Sequence, residues 1–500
     1  MLGSISDIDA WNEYVSQQAF AGGLLRRIFL RLAQENGRGL ETSDGFEPLL
    51  AESWESSPEG PTLTFHLREA RWSDGAPLTA EDVRFTWRAQ TSPRVPWVGA
   101  ASKSRIRDVE VVDARTVRFR FDGPYPYQLA DAIEGGIVPQ HVFGLVPFEE
   151  WAAHDWSAQR IGSGPFILAR HVPQQEIELA RNPHYFLPER PLLDRVIVRI
   201  VADDTSLVTQ LETGEIDWLE GVPARDAHRL IEPGSTSVRL LAFDQPKYDF
   251  IGWNGERPPF DDPAVRRALT SAIDREALVD EMLFGFGRVS RGPLPSAAWG
   301  TDRALEPWPY DPAAARATLA ARGFRTRDAA GTESSGRPLA FEMLTNSGNR
   351  VREEMLVKIQ EQLARVGVRV AVRALEMKTL RQQVAAGDYD AYLGGWTFSG
   401  KIDLASLFAS DRVPPAGLNV VRYRVPAVDR EIARLTEATS GDEMLAPLRE
   451  ILLQIHEDAP YTFLYEPRRV AGYGARLRGV IVDVPTDPLA RLDRFWVTAS

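Results

Sequence analysis

Apolar and polar residues alternate with a period of two in the first half of the chain. The clearest cases are residues 62–67 and 116–121, and residues 195–201 (RVIVRIV) form another, mostly apolar run. A period of two is typical of a β-strand with one buried face, and a short apolar run is consistent with a fully buried strand. These stretches therefore predict β-strands.

The second half of the chain has a period close to four. Residues 263–273 carry apolar side chains at four-residue spacing, with Asp262 as the predicted cap and Pro263 at the first helical position. Residues 351–363 show the same stripe, and a period of two returns directly after Gly367. A helix, a glycine stop and a strand in succession predict an α/β layered domain.

The stretch WSDGAPLTAEDV, residues 72–83, combines turn and helix signals. Asp74 and Gly75 predict a tight turn. Thr79 and Asp82 have the spacing of a capping box, which marks the start of a helix. Because a predicted strand precedes it, this stretch indicates a strand, a turn and a capped helix in succession. It contains no pattern of residues typical of a catalytic site.

Length and composition limit the possible classes of protein. A chain of 500 residues exceeds one ordinary core and predicts two or three substructures. A net charge of −12, with no basic cluster, argues against a nucleic-acid partner. The chain has no cysteine, so it has no disulfide and no thiol nucleophile. It has no apolar run of about 18 residues, the length that a membrane span needs.

Catalytic and metal-binding motifs are absent. No two of the seven histidines share a helical face as zinc ligands, and HExxH, G-x-S-x-G, the Walker loop and G-x-G-x-x-G do not occur. Asp388 and Asp390 could serve a glycosidase only at a suitable separation, which the sequence does not give. We therefore predict no catalytic residue, no metal ion and no cofactor.

The segment GGWTFSG, residues 394–400, is the best candidate for ligand contact. Its two glycines permit close approach of a ligand to the backbone, and its tryptophan and hydroxyl groups follow a predicted strand. Core packing is the alternative role for these side chains.

Seven segments, in order along the chain, resemble family 5 of the extracellular solute-binding proteins, the dipeptide, oligopeptide and nickel receptors of ABC importers. The longest, residues 48–87, closely resembles the signature segment of that family and contains the turn and capped helix described above. The other segments are residues 161–168, 181–186, 208–219, 260–279, 389–396 and 456–467.

The resemblance implies an α/β, two-lobed periplasmic-binding-protein fold of type II, with a hinge made of two crossovers. Lobe I would comprise residues 1–246 and 471–500, with an extra subdomain inserted at 46–160, and lobe II residues 247–470. A solute enclosed between the lobes would favour a closed form, which the ABC permease and its ATPases would recognise. The resemblance further implies a monomer in the periplasm or on the extracellular face, in a mature form without its leader.

Ligand identity stays open at this stage. Dipeptide receptors of the family usually place an aspartate three residues after Gly-Trp, where this chain has Ser399, and Asp403 matches a later aspartate instead. Their arginine for the ligand carboxylate aligns near Asn346, with Arg350 as a nearby substitute. Because an enclosed charge without a partner costs several kcal/mol, a zwitterionic dipeptide is disfavoured. A longer peptide-like ligand and a neutral oligosaccharide both remain as alternatives for the ligand.

Twelve residues are predicted to contact the ligand. They are Gly394, Gly395, Trp396, Thr397, Ser399, Asn346, Asp403, Trp253, Asn254, Tyr423, Tyr14 and Phe20. Two other functions are possible on the same scaffold: a hydrolase with two close carboxylates, and a chaperone or signalling receptor whose partner is not a permease.

Overall fold

The computed structural model describes residues 1–37, 45–57, 60–231, 238–296, 298–301, 305–398 and 401–498. The chain divides into two compact units. Unit 1 comprises Met1–Phe243 and Arg469–Ser500, and unit 2 comprises Asp244–Arg468. The chain therefore passes from one unit to the other twice.

The strands and helices are numbered in chain order. The strands are β1 (Leu2–Ser4), β2 (Ala33–Glu35), β3 (Phe46–Pro48), β4 (Ala51–Ser56), β5 (Thr62–Leu67), β6 (Ile106–Asp113), β7 (Thr116–Phe121), β8 (Phe166–Val172), β9 (Glu176–Arg181), β10 (Arg195–Ile200), β11 (Trp218–Leu219), β12 (Val238–Asp244), β13 (Lys247–Trp253), β14 (Gly287–Val289), β15 (Leu339–Asn346), β16 (Val368–Leu375), β17 (Ala391–Thr397), β18 (Tyr461–Gly474), β19 (Leu477–Arg478) and β20 (Trp496–Val497). The α-helices are α1 (Ala19–Ile28), α2 (Ala80–Thr91), α3 (Gln128–Ile133), α4 (Gln140–Phe143), α5 (Asp204–Thr213), α6 (Ala224–Leu230), α7 (Pro263–Ser271), α8 (Arg275–Leu283), α9 (Pro312–Ala321), α10 (Arg350–Ala364), α11 (Met377–Ala386), α12 (Ala405–Phe408), α13 (Pro426–Glu437) and α14 (Gly441–Asp458).

The central strands of unit 1 form a mixed sheet. β1 lies parallel to β10 on one side and to β11 on the other. β9 is antiparallel to β10, and β8 is antiparallel to β9. The amino terminus of Met1 lies 2.5 Å from the Asp217 carboxylate, which anchors the start of the chain beside β11.

A separate antiparallel sheet in unit 1 has the strand order β4-β5-β7-β6. β5 and β7 are the strands predicted from the alternation at residues 62–67 and 116–121, and the apolar residues of both strands are buried. The predicted strands are therefore confirmed.

The capping box predicted at the start of α2 is present. One Asp82 carboxylate oxygen accepts a hydrogen bond from the Thr79 backbone N–H at 2.9 Å, and the other accepts from the Gln140 backbone N–H at 2.8 Å. The first of these oxygens also lies 3.4 Å from the indole nitrogen of Trp72, which is fully buried. Asp82 therefore joins the turn, α2 and the start of α4, and this stretch of sequence is structural.

Unit 2 is built around a sheet with the strand order β16-β15-β17-β13-β18. β15 is parallel to β16 and to β17, whereas β13 is antiparallel to β17 and to β18. The helix predicted near residues 351–363 is α10, and Met355, Ile359 and Leu363 lie in the core of unit 2. Val351 is exposed in the first turn of α10, so the prediction that it belongs to the buried stripe is wrong.

None of the helices in the described part of the chain combines the length and the apolar composition that crossing a bilayer requires.

We expect Asp82→Ala to lower the free energy of unfolding by about 1–3 kcal/mol, because it leaves two backbone N–H groups without an acceptor. Glu81→Ala is the matched control, since Glu81 is in the same turn of α2 and its side chain is 45% exposed. It should change stability by less than about 0.5 kcal/mol. Thermal unfolding followed by circular dichroism measures the stability of both variants. Equal effects of the two substitutions would contradict the structural role of Asp82.

Candidate functional site

Unit 1 contains a cavity of about 800 Å³. Its lining comes from the N-terminal segment, α1, residues 97–99, β11 and residues 485–489. Pockets for small molecules usually measure about 300–1,000 Å³ and combine apolar walls with a few polar groups. Phe20 and Trp97 contribute aromatic surface to this lining, and ligand contact of Phe20 stays a prediction.

Helix α1 contributes an unusual surface to the cavity. Gly22 and Gly23 lie in the interior of the helix, and both line the cavity together with Arg26. Glycine inside a helix costs about 0.8–1 kcal/mol relative to alanine. The helix therefore carries two unfavourable residues on its cavity side.

The charged groups of the lining form three ion pairs. They are Arg31–Glu13 at 3.0 Å, Arg26–Asp487 at 3.6 Å and Arg469–Glu220 at 3.0 Å. Two further lining carboxylates, Glu134 and Asp204, have no ion-pair partner among the residues that the structure describes. The lining thus has more negative than positive groups, which favours a ligand that carries positive charge.

Burial and neighbouring charges act against each other in this lining. Burial raises the pKa of Glu220 above its usual value, although Arg469 opposes the shift. Burial also acts on Asp487, but the charges of Arg27 and Arg26 outweigh it and lower the pKa of that carboxyl group. Asp487 is therefore ionised at neutral pH and holds two arginines of α1 in place.

A buried ion pair organises the centre of unit 2. Arg352 donates from Nε to Asp249 Oδ2 at 2.9 Å and from Nη2 to Oδ1 at 3.0 Å. Its Nη1 donates to Asn346 Oδ1 at 3.0 Å. Tyr465 donates its hydroxyl hydrogen to Asp249 at 2.8 Å, and the Lys247 Nζ atom lies 3.5 Å from the same carboxylate. All three nitrogens of the Arg352 guanidinium group therefore already have partners within the unit.

The secondary structure explains how these groups meet. Asp249 projects from the middle of β13, and Arg352 lies in the first turn of α10, which the Asn349 side chain caps. Burial opposes ionisation of Asp249, but the hydrogen bonds and charge of Arg352, with the charge of Lys247, keep the pKa of Asp249 below its ordinary value. The pair is therefore ionised at neutral pH.

Gly395 lies directly opposite Asp249 across the β13–β17 pairing. A Cβ atom at Gly395 would lie 2.2 Å from Asp249 Oδ1 and 2.4 Å from Arg352 Nη2. At Gly394 a Cβ atom would lie 2.6 Å from the Tyr392 ring. Neighbouring side chains thus occupy the space that a Cβ atom would need at each glycine, and contact of Gly394 and Gly395 with a ligand stays a prediction.

The other residues predicted around this segment lie in different environments. Trp396 is half-buried, and its indole nitrogen lies 3.4 Å from the Tyr461 hydroxyl oxygen. Thr397 is exposed at the end of β17. Asp403 is exposed and accepts a hydrogen bond from the Ser406 backbone N–H at 3.0 Å, which places it at the start of α12. Trp396 and Thr397 thus remain candidates for ligand contact.

Trp253 and Asn254 are buried in unit 2. The Trp253 indole N–H donates to the Thr462 hydroxyl at 3.0 Å, and the ring belongs to the core. The Asn254 side-chain amide donates to the backbone oxygens of Gly387 and Tyr389 at 3.0 and 2.9 Å. Because these contacts are internal, we leave both residues out of the proposed site.

Tyr423 and Tyr14 are also buried with internal partners. Tyr423 donates its hydroxyl hydrogen to Asp458 at 2.5 Å, and Tyr14 donates to the backbone oxygen of Gly136. We leave these two tyrosines out as well. The predicted contact of Ser399 lies outside the described residues.

The charged lining of the unit 1 cavity was not predicted from the sequence. Glu13, Arg26, Arg31 and Glu134 were not among the predicted site residues, because no short motif joins them. The adjacent glycines in a helical pattern were the signal that could have directed attention to α1. Among the described residues, no group of three or more His, Asp or Glu side chains is arranged to hold a metal ion.

Comparison with known proteins identifies the family. Residues 45–410 match the profile described as bacterial extracellular solute-binding proteins, family 5, middle region. The oligopeptide-binding protein AppA of Bacillus subtilis is 30% identical over 458 residues, which cover 90% of this chain and 83% of that protein. The chain belongs to family 5 of the bacterial extracellular solute-binding proteins.

Solved structures agree with this assignment. The structure of Bacillus subtilis AppA in complex with a nonapeptide matches with a TM-score of 0.74 and 27% identity, covering 100% of this chain and 98% of that one. The ABC transporter substrate-binding protein CtaP of Listeria monocytogenes has the same fold, with a TM-score of 0.85 at 20% identity, covering 100% of this chain and 99% of that one. The predicted fold class and the predicted function as a solute-binding receptor of an ABC importer are confirmed.

We expect Arg352→Leu to destabilise unit 2 by about 3–5 kcal/mol, because it leaves the buried Asp249 carboxylate without its charged partner. Arg350→Leu is the matched control, since Arg350 is in the same turn of α10 and its side chain is 79% exposed. Urea denaturation of both variants measures the difference in the free energy of unfolding. A difference below about 0.5 kcal/mol would contradict the role given to the ion pair.

The low pKa of Asp249 predicts a specific dependence of stability on pH. A carboxyl group with a lowered pKa in the folded state stabilises the fold above its unfolded pKa of about 3.9, and this contribution is lost as the pH falls through the folded value. The stability difference between wild type and Asp249→Asn should therefore shrink below about pH 4. Urea denaturation between pH 3 and pH 7 tests this, and a constant or growing difference would contradict it.

Proposed function

We propose that this protein binds oligopeptides outside the cytoplasm and presents them to an ABC permease and its ATPases. The observation that carries the proposal is the similarity over 90% of the chain to a relative named as an oligopeptide-binding protein. Binding without turnover is the function that the family description supports. We further propose that the receptor acts as a monomer.

The cavity of unit 1 favours a peptide over a neutral oligosaccharide. A peptide carries charged termini, and its side chains add apolar surface. The lining offers three ion pairs, two further carboxylates and the aromatic rings of Phe20 and Trp97. A neutral sugar offers hydroxyl hydrogen bonds but no positive charge for Glu134 and Asp204, whereas an amino terminus or a basic side chain of a peptide does.

A free dipeptide remains disfavoured in this proposal. The volume of about 800 Å³ lies towards the upper end of the usual range for pockets, which suits a longer ligand. In unit 2, Arg352 is already bound to Asp249 and Asn346, and Arg350 is exposed and paired with Glu354. Neither arginine supports fixed recognition of a dipeptide carboxylate.

We expect the purified protein, unfolded and refolded to remove any retained solute, to bind members of a random-sequence octapeptide pool. At a free ligand concentration one hundred times Kd, binding stabilises the folded state by about 2.7 kcal/mol, so the melting temperature rises. Ala-Ala and cellohexaose at the same concentration are the controls and should leave it unchanged. Differential scanning fluorimetry gives the shift, and native mass spectrometry gives the bound mass. A shift with cellohexaose alone would refute the peptide assignment.

A further inference from the structure

The lining of the unit 1 cavity contains two apolar side chains that the protein leaves uncovered. Val98 is 71% exposed and Ile5 is 55% exposed, and both line the cavity. They are two of the four most exposed large apolar side chains in the described part of the chain. A single exposed apolar residue is ordinary on a protein surface, but two in the wall of one cavity indicate a contact surface for apolar groups.

The positions of both residues in the fold agree with contact to a ligand. Ile5 follows directly after β1, which lies between β10 and β11 and is parallel to both. It therefore lies at the carboxyl end of a parallel strand, where the sheets of α/β proteins bind their ligands. Val98 follows Trp97, whose buried ring contacts the Tyr14 ring at a centroid distance of 5.3 Å. The burial of Trp97 holds this segment in place while Val98 stays exposed beside it.

The same lining contains a carboxylate, Glu134, that neither its helix nor an ion pair favours. Glu134 ends α3, and a helix carries partial negative charge at this end, which disfavours a carboxylate. It has no ion-pair partner among the described residues, since Arg31 of the same lining is bound to Glu13 at 3.0 Å. Asp204, by contrast, is in the first turn of α5, where the helix favours negative charge. Glu134 is therefore the carboxylate that would gain most from a cation in the cavity.

Hydrogen bonds and a ring contact connect Glu134 to the segment of Val98. Gln90 donates from Nε2 to the Glu134 backbone oxygen at 2.9 Å and to the Tyr14 hydroxyl oxygen at 3.1 Å. The Tyr14 ring in turn contacts the ring of Trp97, the neighbour of Val98. The carboxylate and the exposed apolar surface thus belong to one connected part of the cavity wall.

We propose that the unit 1 cavity selects peptides that carry both apolar and basic side chains. The apolar side chains pack against Val98 and Ile5, which removes apolar surface of both partners from water. The ammonium or guanidinium group of the basic side chain pairs with Glu134 through charge-assisted hydrogen bonds. This inference rests on the proposed binding of oligopeptides and adds the class of peptide that the receptor prefers.

Three pools of octapeptides with a common alanine and serine background test this preference. The first pool carries two leucines and one lysine at varied positions, the second replaces the lysine by glutamine, and the third replaces both leucines by serine. Isothermal titration calorimetry with the refolded wild type should give the lowest apparent Kd for the first pool. We expect it to be about threefold below that of the second pool and about tenfold below that of the third. In about 0.5 M NaCl the first difference should shrink and the second should persist.

Val98→Ser and Ile5→Ser test the apolar contacts. Each variant should raise the apparent Kd of the two leucine-containing pools by about threefold and leave that of the third pool unchanged, because only leucine loses a packing partner. Leu145→Ser is the matched control, since Leu145 is 80% exposed and does not line the cavity. It should leave all three values unchanged.

Glu134→Gln tests the charge contact. In this variant the lysine and glutamine pools should bind equally, while the preference for leucine over serine stays. Glu52→Gln removes the same charge from an exposed position on β4 that does not line the cavity, and it should keep the wild-type preference for lysine.

The outcomes separate this inference from the proposed function. Equal affinity of the wild type for the three pools would overturn the inference and leave peptide binding intact. Preferences that persist in the Val98, Ile5 and Glu134 variants would also overturn it, because the selecting contacts would then lie elsewhere. Failure of the wild type to bind any of the three pools would refute the proposed function and this inference with it.

Discussion

Unit 2 depends on one buried ion pair, between Asp249 and Arg352. Without each other, either charge would be strongly destabilising in a site that excludes water. Around the pair, Asn346 satisfies the remaining guanidinium nitrogen and Tyr465 donates to the carboxylate, while Gly395 leaves the space that both charges need. The contacts tie α10 to β13, β15 and β18, so the position of the strand that carries Trp396 and Thr397 follows from the geometry of this pair.

Unit 1 uses charge in a different way. Its ion pairs lie on the lining of a cavity, where they fix the shape of the wall but leave an excess of carboxylates. Pairs such as Arg31–Glu13 keep the arginines ionised and oriented without a covalent role. A binding protein needs this combination, because its ligand must be held by many moderate contacts and then released.

Local features were predictable from the sequence, and long-range ones were not. Asp82 three positions after Thr79, and Pro263 after Asp262, are short-range signals, and the structure contains both caps. The pairing of Asp249 with Arg352 joins residues 103 positions apart, so no local pattern reveals it. For the same reason the predicted ligand role of Gly394 and Gly395 rested on their flexibility alone, whereas their tertiary neighbours require the absence of a side chain.

The ligand proposed for this receptor is an oligopeptide. The most direct test is native mass spectrometry of the protein as it is purified from its host, followed by denaturation and tandem sequencing of whatever is released. We expect a heterogeneous set of bound masses that sequence as peptides longer than two residues. A single added mass that divides into hexose units, or one that sequences as a dipeptide, would contradict it.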